Sequence, residues 1–289
     1  MHTPVLLQEV LHYLNPEANE DVIDATVNGG GHAEVLLERI APKGRLLGID
    51  RDPSILAGTK ERLKKFGDRM MVARGNFANI AILAKENGVL HPSSILFDLG
   101  TSSYHLASDR GFSFQRDEPL DMRYNPEDEE LTAEAIINHA PLSELERIFK
   151  TYGEERKARR VAEAVVKERR HRAIKTTKEL AALIEKILPR GRIHPATRIF
   201  QALRIAVNDE LGNAEKGILE AIKTLKPGGK LAVISFHSGE DRVVKQIFKE
   251  SQKKSEGEIL TPKPITATRS EITENPRSRS AKLRAFKKN

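Results

Sequence analysis

The chain contains the stretch Asp21-Val22-Ile23-Asp24-Ala25-Thr26-Val27-Asn28-Gly29-Gly30-Gly31-His32, around which its other elements can be placed. Residues 22–27 are mostly apolar and β-branched, which predicts a short buried strand. Glycine adopts backbone angles that a side chain forbids, so residues 29–31 can turn tightly against a ligand. The apolar residues that follow have helical spacing. A strand, a glycine loop and a helix open a nucleotide-binding α/β sheet, although glycine triplets also serve as plain turns.

Composition limits the classes of protein that need to be considered. The 289 residues are enough for one large domain or two modest ones. Cysteine is absent, which excludes disulfides, thiolate metal sites and catalytic thiols. No long apolar run or leader-like start is present, so we expect a soluble, cytoplasmic protein that does not bind a membrane. Lysine and arginine number 48 against 41 aspartate and glutamate, a formal charge of +7 that favours a polyanionic partner.

Two further apolar runs end in a carboxylate. Residues 44–50 end in Asp50, and residues 94–98 end in Asp98. The carboxyl ends of parallel strands form the ligand-binding edge of an open α/β sheet. A carboxylate after the second strand can accept hydrogen bonds from both hydroxyls of a ribose. The pattern therefore predicts a nucleoside site with Asp50 and Asp98 at its edge.

Two neighbouring features have a structural and a functional explanation. Asp52 precedes Pro53, and this pair is typical of the start of a helix, so Asp52 can cap that helix while Asp50 binds the ligand. A third strand predicted at residues 70–73 leads to Phe77. An aromatic ring at that place can lie against an adenine or simply pack in the core.

Beyond Asp98 the alternation of strands and helices is lost for a long segment. We interpret this segment as an all-helical insertion at residues 106–205, not as an independent second domain. The core is then discontinuous and consists of residues 1–105 and 206–289.

The insertion is predicted to contain several helices and a basic surface. Capping-box sequences begin at Ser143 and Thr176, and a later helix is expected to end at Gly212. The basic residues, interleaved with apolar ones, are Arg156, Lys157, Arg159, Arg160, Lys167, Arg169, Arg170, Arg172 and Lys175. A solvated helix face and a nucleic-acid-binding face explain such a run equally well.

The sheet pattern resumes after the insertion. Residues 230–236 predict a fifth strand after the turn Lys226-Pro227-Gly228-Gly229, and residues 258–260 and 281–286 predict a closing antiparallel pair. A nicotinamide oxidoreductase would share the glycine loop and Asp50. Against that alternative, the loop does not read Gly-x-Gly-x-x-Gly, and no group of residues typical of hydride transfer follows it.

Several motifs, taken in their order along the chain, resemble those of a known family. They are His2-Thr3-Pro4-Val5-Leu6-Leu7, the segment from Asp24 to His32, Asp98-Leu99-Gly100-Thr101-Ser102-Ser103, the segment from Arg198 to Leu211, Ser235-Phe236-His237-Ser238 with Glu240-Asp241-Arg242, and the segment from Asn275 to Arg284. With them the sequence resembles, over nearly its full length, the bacterial 16S rRNA cytosine-N4 methyltransferase family called RsmH or MraW.

The resemblance implies a Rossmann-like class I S-adenosylmethionine-dependent methyltransferase sheet with an inserted all-helical substrate-recognition domain. It implies a target cytidine in the decoding region of 16S rRNA in the small ribosomal subunit, and it is compatible with a homodimer. The implied cofactor contacts are Gly30, Gly31 and His32 for the methionine part, Asp50 for the ribose, Phe77 for the adenine, and Asp98 and His105 to complete the pocket.

The chemistry of this reaction needs few groups and no metal. A sulfonium methyl is already electrophilic, and positioning alone can contribute about 7 to 11 kcal/mol. The cytosine amino nitrogen is a poor nucleophile, and a carboxylate that accepts its N–H favours attack and can take the proton. We assign this role to Asp98, helped by Ser102, Ser103 and Tyr104. The alternative is that Asp98 contacts only the cofactor.

The target base must leave its stack to reach the pocket. Tyr104, Phe112 and Phe114 are candidates to stack on it, although each can also pack within its own loop. Two other classes of function stay open at this point: a non-catalytic RNA-binding or ribosome assembly factor on the same fold, and the oxidoreductase.

Overall fold

The computed structural model describes residues 4–127, 131–191 and 193–289, apart from the side chain of Ser103. His2 and Thr3 of the first motif therefore lie outside the described residues. The chain divides into two compact units, Met1–Gly100 with Leu211–Asn289, and Thr101–Glu210. No described helix combines the length and the apolar character that crossing a membrane would require.

An eight-stranded sheet organises the first unit. Its strands are β1 (Val22–Asp24), β2 (Leu46–Asp50), β3 (Met70–Arg74), β4 (Ser94–Asp98), β5 (Lys230–Ser235), β6 (Gly257–Ile259), β7 (Ile265–Thr266) and β8 (Lys282–Lys288). The order is β3-β2-β1-β4-β5-β8-β6, with β7 also on β8. Strands β1 to β5 are parallel, and β8 is antiparallel to β5, β6 and β7. The predicted Rossmann-like α/β fold and the closing pair β6 and β8 are confirmed.

The helices of the described chain, in order, are α1 (Leu7–Leu14), α2 (Gly31–Arg39), α3 (Pro53–Arg62), α4 (Ile80–Glu86), α5 (Ser103–Ala107), α6 (Ala133–His139), α7 (Leu142–Thr151), α8 (Ala158–Arg169), α9 (Thr177–Ile187), α10 (Ala196–Asn208), α11 (Glu210–Thr224), α12 (Ser238–Lys253) and α13 (Arg269–Glu274). Short 3₁₀ segments cover Lys64–Arg69, Phe77–Asn79 and Pro276–Ser280. Helices α5 to α10 belong to the second unit.

The sheet has an apolar cluster on each face because neighbouring side chains of a strand point to opposite sides. Ile95 and Phe97 of β4 pack with residues of α4, α11 and α12. Leu96, between them, packs with residues of α1 and α2. Both faces are therefore covered, as a parallel sheet requires. The second unit has its own cluster, built from apolar residues of α6 to α10.

The first strand is shorter than predicted. β1 ends at Asp24, not at Val27, because the Thr26 N–H turns back to the Asp24 carboxylate at 3.2 Å. The N–H groups of Ala25 and Val27 still reach carbonyls of Leu96 and Ile49. The glycine loop therefore starts closer to the sheet edge than the residue pattern indicates.

The predicted helix signals have mixed outcomes. The capping box at Thr176 is confirmed, since its side chain accepts the Glu179 N–H and Glu179 accepts the Thr176 N–H. The box at Ser143 is wrong, because α7 already begins at Leu142. The predicted helix end at Gly212 is also wrong, since Gly212 lies inside α11.

Candidate active site

Three carboxyl groups lie at the carboxyl ends of three neighbouring strands. Asp50 ends β2, Asp24 ends β1 and Asp98 ends β4, and these strands are adjacent in the sheet. Burial raises the pKa of Asp24 to about 7 and the pKa of Asp50 to about 6, and it raises the pKa of Asp98 well above its usual range. Repulsion adds to burial, from Asp50 on Asp24 and from Asp24 on Asp98. Such a concentration of perturbed groups marks a functional site.

The glycine loop between β1 and α2 is held in one conformation. Gly30 has φ +76°, and a Cβ there would lie 3.0 Å from the Leu63 side chain. The Thr59 hydroxyl donates to the Asn28 carbonyl, and Arg62 Nη1 donates to the Gly29 carbonyl at 2.8 Å. Gly30 offers no side-chain cap to α2, so the first N–H groups of that helix have no acceptor from the capping residue. A helix start of this kind suits the carboxylate of a ligand.

His32, in the first turn of α2, links the loop to Asp98. Its side chain is buried, with Nε2 at 2.9 Å from the Val5 carbonyl and Nδ1 at 3.7 Å from Asp98 Oδ2. A carbonyl oxygen only accepts hydrogen bonds, so Nε2 carries the hydrogen. The other ring nitrogen therefore faces the Asp98 carboxyl group.

Asp98 has one carboxyl oxygen without a partner. The residue is 8% exposed, and Oδ1 accepts no hydrogen bond from any described residue. Its backbone N–H donates to Thr26 Oγ1 at 2.6 Å, which fixes the end of β4 against the glycine loop. Glu240 in the first turn of α12 is buried, and its charge adds to the rise in the pKa of Asp98. A buried acceptor left unsatisfied is costly, so this site fits a ligand that donates a hydrogen bond or carries positive charge.

Asp50 and Phe77 have different surroundings. Asp50 accepts the Asp52 N–H at 2.9 Å, and Asp52 accepts the Ser54 N–H at 2.9 Å, which confirms Asp52 as the helix cap. The Phe77 ring meets the Phe97 ring edge-on at 5.5 Å. Phe77 thus combines a core contact with a half-buried position after β3, and its adenine contact stays a prediction.

The other predicted site residues belong to the second unit. Ser102 is buried and caps α5, since its hydroxyl oxygen accepts the N–H groups of Tyr104 and His105 at 3.1 and 3.4 Å. The side chain of Ser103 lies outside the described part. His105 is buried, with its ring 4.5 Å from Tyr124 and 5.3 Å from Phe112. The described second unit therefore surrounds His105 with aromatic rings.

The three candidate stacking residues differ in exposure. Phe112 is a core residue, stacked on Tyr124 at 5.5 Å. Phe114 stacks on His194 at 4.5 Å and is partly buried. Tyr104 is 52% exposed. Of the three, Tyr104 is the one whose ring is free enough to receive a base.

Sequence reasoning gave no role to several residues that shape these surroundings. In the first unit Asp24 and Thr26 lie inside the opening stretch, and Glu240 lies in a motif, but their partners are distant in sequence. In the second unit Glu210 accepts from the Tyr124 hydroxyl at 2.9 Å and from Arg204 at 2.8 and 3.0 Å. The motif from Arg198 to Leu211 contains Arg204 and Glu210, so it was the part of the sequence that could have indicated this hydrogen-bond network.

The basic run of the second unit is partly structural. Arg169 donates to the carbonyls of Ile137 and Ala140, both at 2.8 Å, and Arg159 pairs with Glu163 in the next turn. These two arginines therefore stabilise the helices themselves.

A surface cavity of about 350 Å³ opens beside α9. It is lined by Glu168, Arg172, Ala173, Ile174, Lys178, Glu179, Ala182, Leu183 and Lys186. Arg172 pairs with Glu179, whereas Lys178 and Lys186 form no ion pair with a described residue. The cavity thus has apolar residues in its wall, one acidic residue besides Glu179, which is Glu168, and two cations, Lys178 and Lys186, available to an anionic ligand.

Comparison with known proteins gives a consistent family. The model of the MraW methylase family matches residues 1–289. A protein of Persephonella marina named ribosomal RNA small subunit methyltransferase H is 47% identical, and the match covers 99% of each chain. Proteins with the same name from Geobacter sulfurreducens and Trichlorobacter lovleyi are 47% and 45% identical, over 99% of this chain and 98% of theirs. This chain, with its carboxylates beside a glycine loop, belongs to the MraW methylase family.

Proposed function

We propose that the protein transfers the methyl group of S-adenosylmethionine to the exocyclic N4 amino group of a cytidine in the decoding region of 16S rRNA. Relatives that match over almost the whole chain are named for methylation of small-subunit ribosomal RNA. The observation that carries the proposal is Asp98, a buried carboxyl group at the ligand edge of the sheet, one oxygen of which has no partner among the described residues. The protein works in the cytoplasm, where small subunits are assembled, and self-association into a homodimer belongs to the same proposal.

The residues present fit S-adenosylmethionine. The start of α2, at Gly30 and Gly31, suits the carboxylate of the methionine part, and buried acidic groups suit its positive charges. Asp50 would accept the ribose hydroxyls, Phe77 would contact the adenine, and His32, Asp98 and His105 would complete the pocket. When bound, the cofactor supplies an electrophilic methyl group on a sulfonium.

Asp98 would act on the acceptor amine. Its Oδ1 accepts an N–H of the target amino group, which raises the electron density on nitrogen and orients the lone pair. A carboxyl group whose pKa burial raises is also a stronger base once ionised, so Asp98 is suited to take the proton that the amine loses. Ser102 would fix the loop that follows, through its cap on α5. Ser103 is the other serine expected to assist Asp98, and Tyr104 would stack on the extruded base.

The inserted residues 106–205 would recognise the RNA, and residues 1–105 with 206–289 would hold the cofactor. The cations Lys178 and Lys186, beside a cavity with apolar residues in its wall, support a phosphate contact on the helical unit. Because each phosphate contact releases counterions, RNA binding should weaken steeply with salt.

The test combines binding and turnover. Calorimetry with S-adenosylmethionine and with NAD identifies the cofactor, and nucleoside mass spectrometry of treated small-subunit RNA identifies N4-methylcytidine. Asp98→Asn should lower kcat by about 100-fold or more, because general base catalysis contributes at least that much, and should retain some of the cofactor binding. Asp68→Asn, at an exposed carboxylate, is the control.

The outcomes separate the alternatives. Full turnover in Asp98→Asn would remove Asp98 from the mechanism. Cofactor binding without methylated product would favour an assembly factor, and NAD binding alone would favour an oxidoreductase.

A further inference from the structure

The contacts of His32 determine how it can interact with Asp98. Nε2 must carry a hydrogen, because its partner at 2.9 Å is the Val5 carbonyl. In the neutral ring Nδ1 is then an acceptor, and it faces Asp98 Oδ2 at 3.7 Å. A lone pair and an ionised carboxylate repel each other at this distance. One proton between them removes the repulsion, whether it resides on the oxygen or on the nitrogen.

Val5 is held in place from a second side. The next residue, Leu6, has φ 53°, a left-handed conformation that is strained for a bulky side chain. Its N–H donates to Glu271 Oε1 at 2.7 Å. The N-terminal segment is thus fastened at Leu6 while Val5 orients the imidazole, so the ring cannot easily turn its other nitrogen towards Asp98.

The surroundings favour a pair that carries one proton. His32 and Asp98 are both buried. Among the described residues, the charged groups other than His32 that act on Asp98 are Asp24 from β1 and Glu240 from α12, and both are acidic. A further negative charge on Asp98 is therefore unfavourable until a cation arrives.

We propose that His32 and Asp98 form one proton-holding pair, which releases its shared proton when the positively charged cofactor binds and takes up the proton of the target amine during methyl transfer. The inference rests on the proposed function. As the nitrogen–carbon bond forms and the carbon–sulfur bond breaks, the methylated amine is left with one proton too many. Asp98 accepts that proton on the oxygen that faces the amine, and rotation of the carboxyl group turns the protonated oxygen towards His32 Nδ1, so that the pair shares the proton. The pair then returns to its singly protonated state, and His32 is the second acceptor behind Asp98.

This pair distinguishes the cofactor from its demethylated product. S-adenosylhomocysteine has the same adenosine, amino and carboxylate groups, but its sulfur is neutral. Binding of S-adenosylmethionine should therefore release about one proton, whereas binding of S-adenosylhomocysteine should release almost none.

The experiment is calorimetric titration of the full chain with each compound, near neutral pH, in phosphate and in Tris. These buffers differ in their heat of ionisation, so the difference in binding enthalpy counts the released protons. We expect a buffer-dependent enthalpy with S-adenosylmethionine alone. His32→Gln keeps a donor for the Val5 carbonyl but cannot hold a proton, so the proton then resides on Asp98 alone. When the titrations are repeated at rising pH, the buffer dependence of the enthalpy should disappear at a lower pH in this variant than in the original chain.

His91→Gln, at an exposed histidine before the amino end of β4, is the matched control and should behave as the original chain. Equal proton release with both compounds, or none with S-adenosylmethionine, would overturn the pair while leaving the methyltransferase proposal intact. Absence of any S-adenosylmethionine binding would overturn the proposed function and the pair with it. If His32→Gln fails to fold, the comparison of the two compounds on the original chain still decides the matter.

Discussion

Asp24→Asn should stabilise the protein in mildly alkaline solution and lower its affinity for the cofactor. Asp24 is 1% exposed, and burial raises its pKa to about 7 from an ordinary 3.8. A carboxyl group whose pKa is raised in the folded protein costs no stability at low pH, where it is protonated in both the folded and the unfolded state. Stability is then lost as pH rises from about 4 through about 7, because only the unfolded state ionises freely. Asparagine has the same shape, keeps an oxygen for the Thr26 N–H, and carries no charge.

The magnitude follows from the two pKa values. They differ by about three pH units, and each unit corresponds to about 1.4 kcal/mol, so ionisation of Asp24 lowers the free energy of unfolding by about 4 kcal/mol. The variant should gain about that much at about pH 8 and almost nothing at about pH 4. Urea denaturation at both pH values measures the difference.

Asp68→Asn, at an exposed carboxylate, should show no such pH dependence. Cofactor affinity of Asp24→Asn should fall, because the variant removes negative charge from the edge that would hold a cation. A gain in stability over the original chain that is no larger at about pH 8 than at about pH 4 would refute the account of Asp24 as an uncompensated buried acid.

Three further predictions concern the loop, the aromatic residues and the helical unit. Gly30→Ala forces a side chain into φ +76° and against Leu63, so it should cost about 1 to 2 kcal/mol in urea denaturation and weaken cofactor binding; unchanged values would contradict the loop geometry. Tyr104→Ala should weaken RNA binding by about 1 to 3 kcal/mol in filter-binding assays without loss of stability, whereas Phe112→Ala should destabilise the fold by about 3 to 5 kcal/mol; the reverse pattern would show that the stacking residue is misassigned. Lys178→Gln with Lys186→Gln should reduce the slope of log affinity against log salt by about 1 to 2, and an unchanged slope would remove this cavity from the RNA surface.

Much of the fold could be predicted from local sequence because the signals are local. Short apolar runs and flanking turns place β2 to β5, and the Thr176 capping box places the start of α9.

The errors at Ser143 and Gly212 have separate causes. Helix α7 begins at Leu142, one residue before Ser143, and its capping position is Pro141. Helix α10 ends earlier than predicted, at Asn208, where Asp209 takes a left-handed conformation with φ 45°, so Gly212 lies inside the next helix.

The candidate site was predictable only in part. The sequence alone indicated Asp50 and Asp98 at strand ends and a glycine loop beside them, since these depend on the order of residues along single strands. Their proximity depends on the strand order β2-β1-β4, which places Asp24 between them. Burial at this edge raises all three pKa values, and repulsion from Asp24 adds to the rise for Asp98.

The sequence by itself determined the strands, the glycine loop, the helical character of the middle segment and the resemblance to the family. Each of these depends on patterns and motifs formed by residues that are close together in the sequence. Only the tertiary structure decided which nitrogen of His32 faces Asp98, since the Val5 carbonyl that orients the ring comes from a segment 27 residues away. It also decided that Phe112 packs in a core while Tyr104 stays exposed. Exposure and proton position depend on contacts between distant segments, and such contacts exist only once the chain has folded.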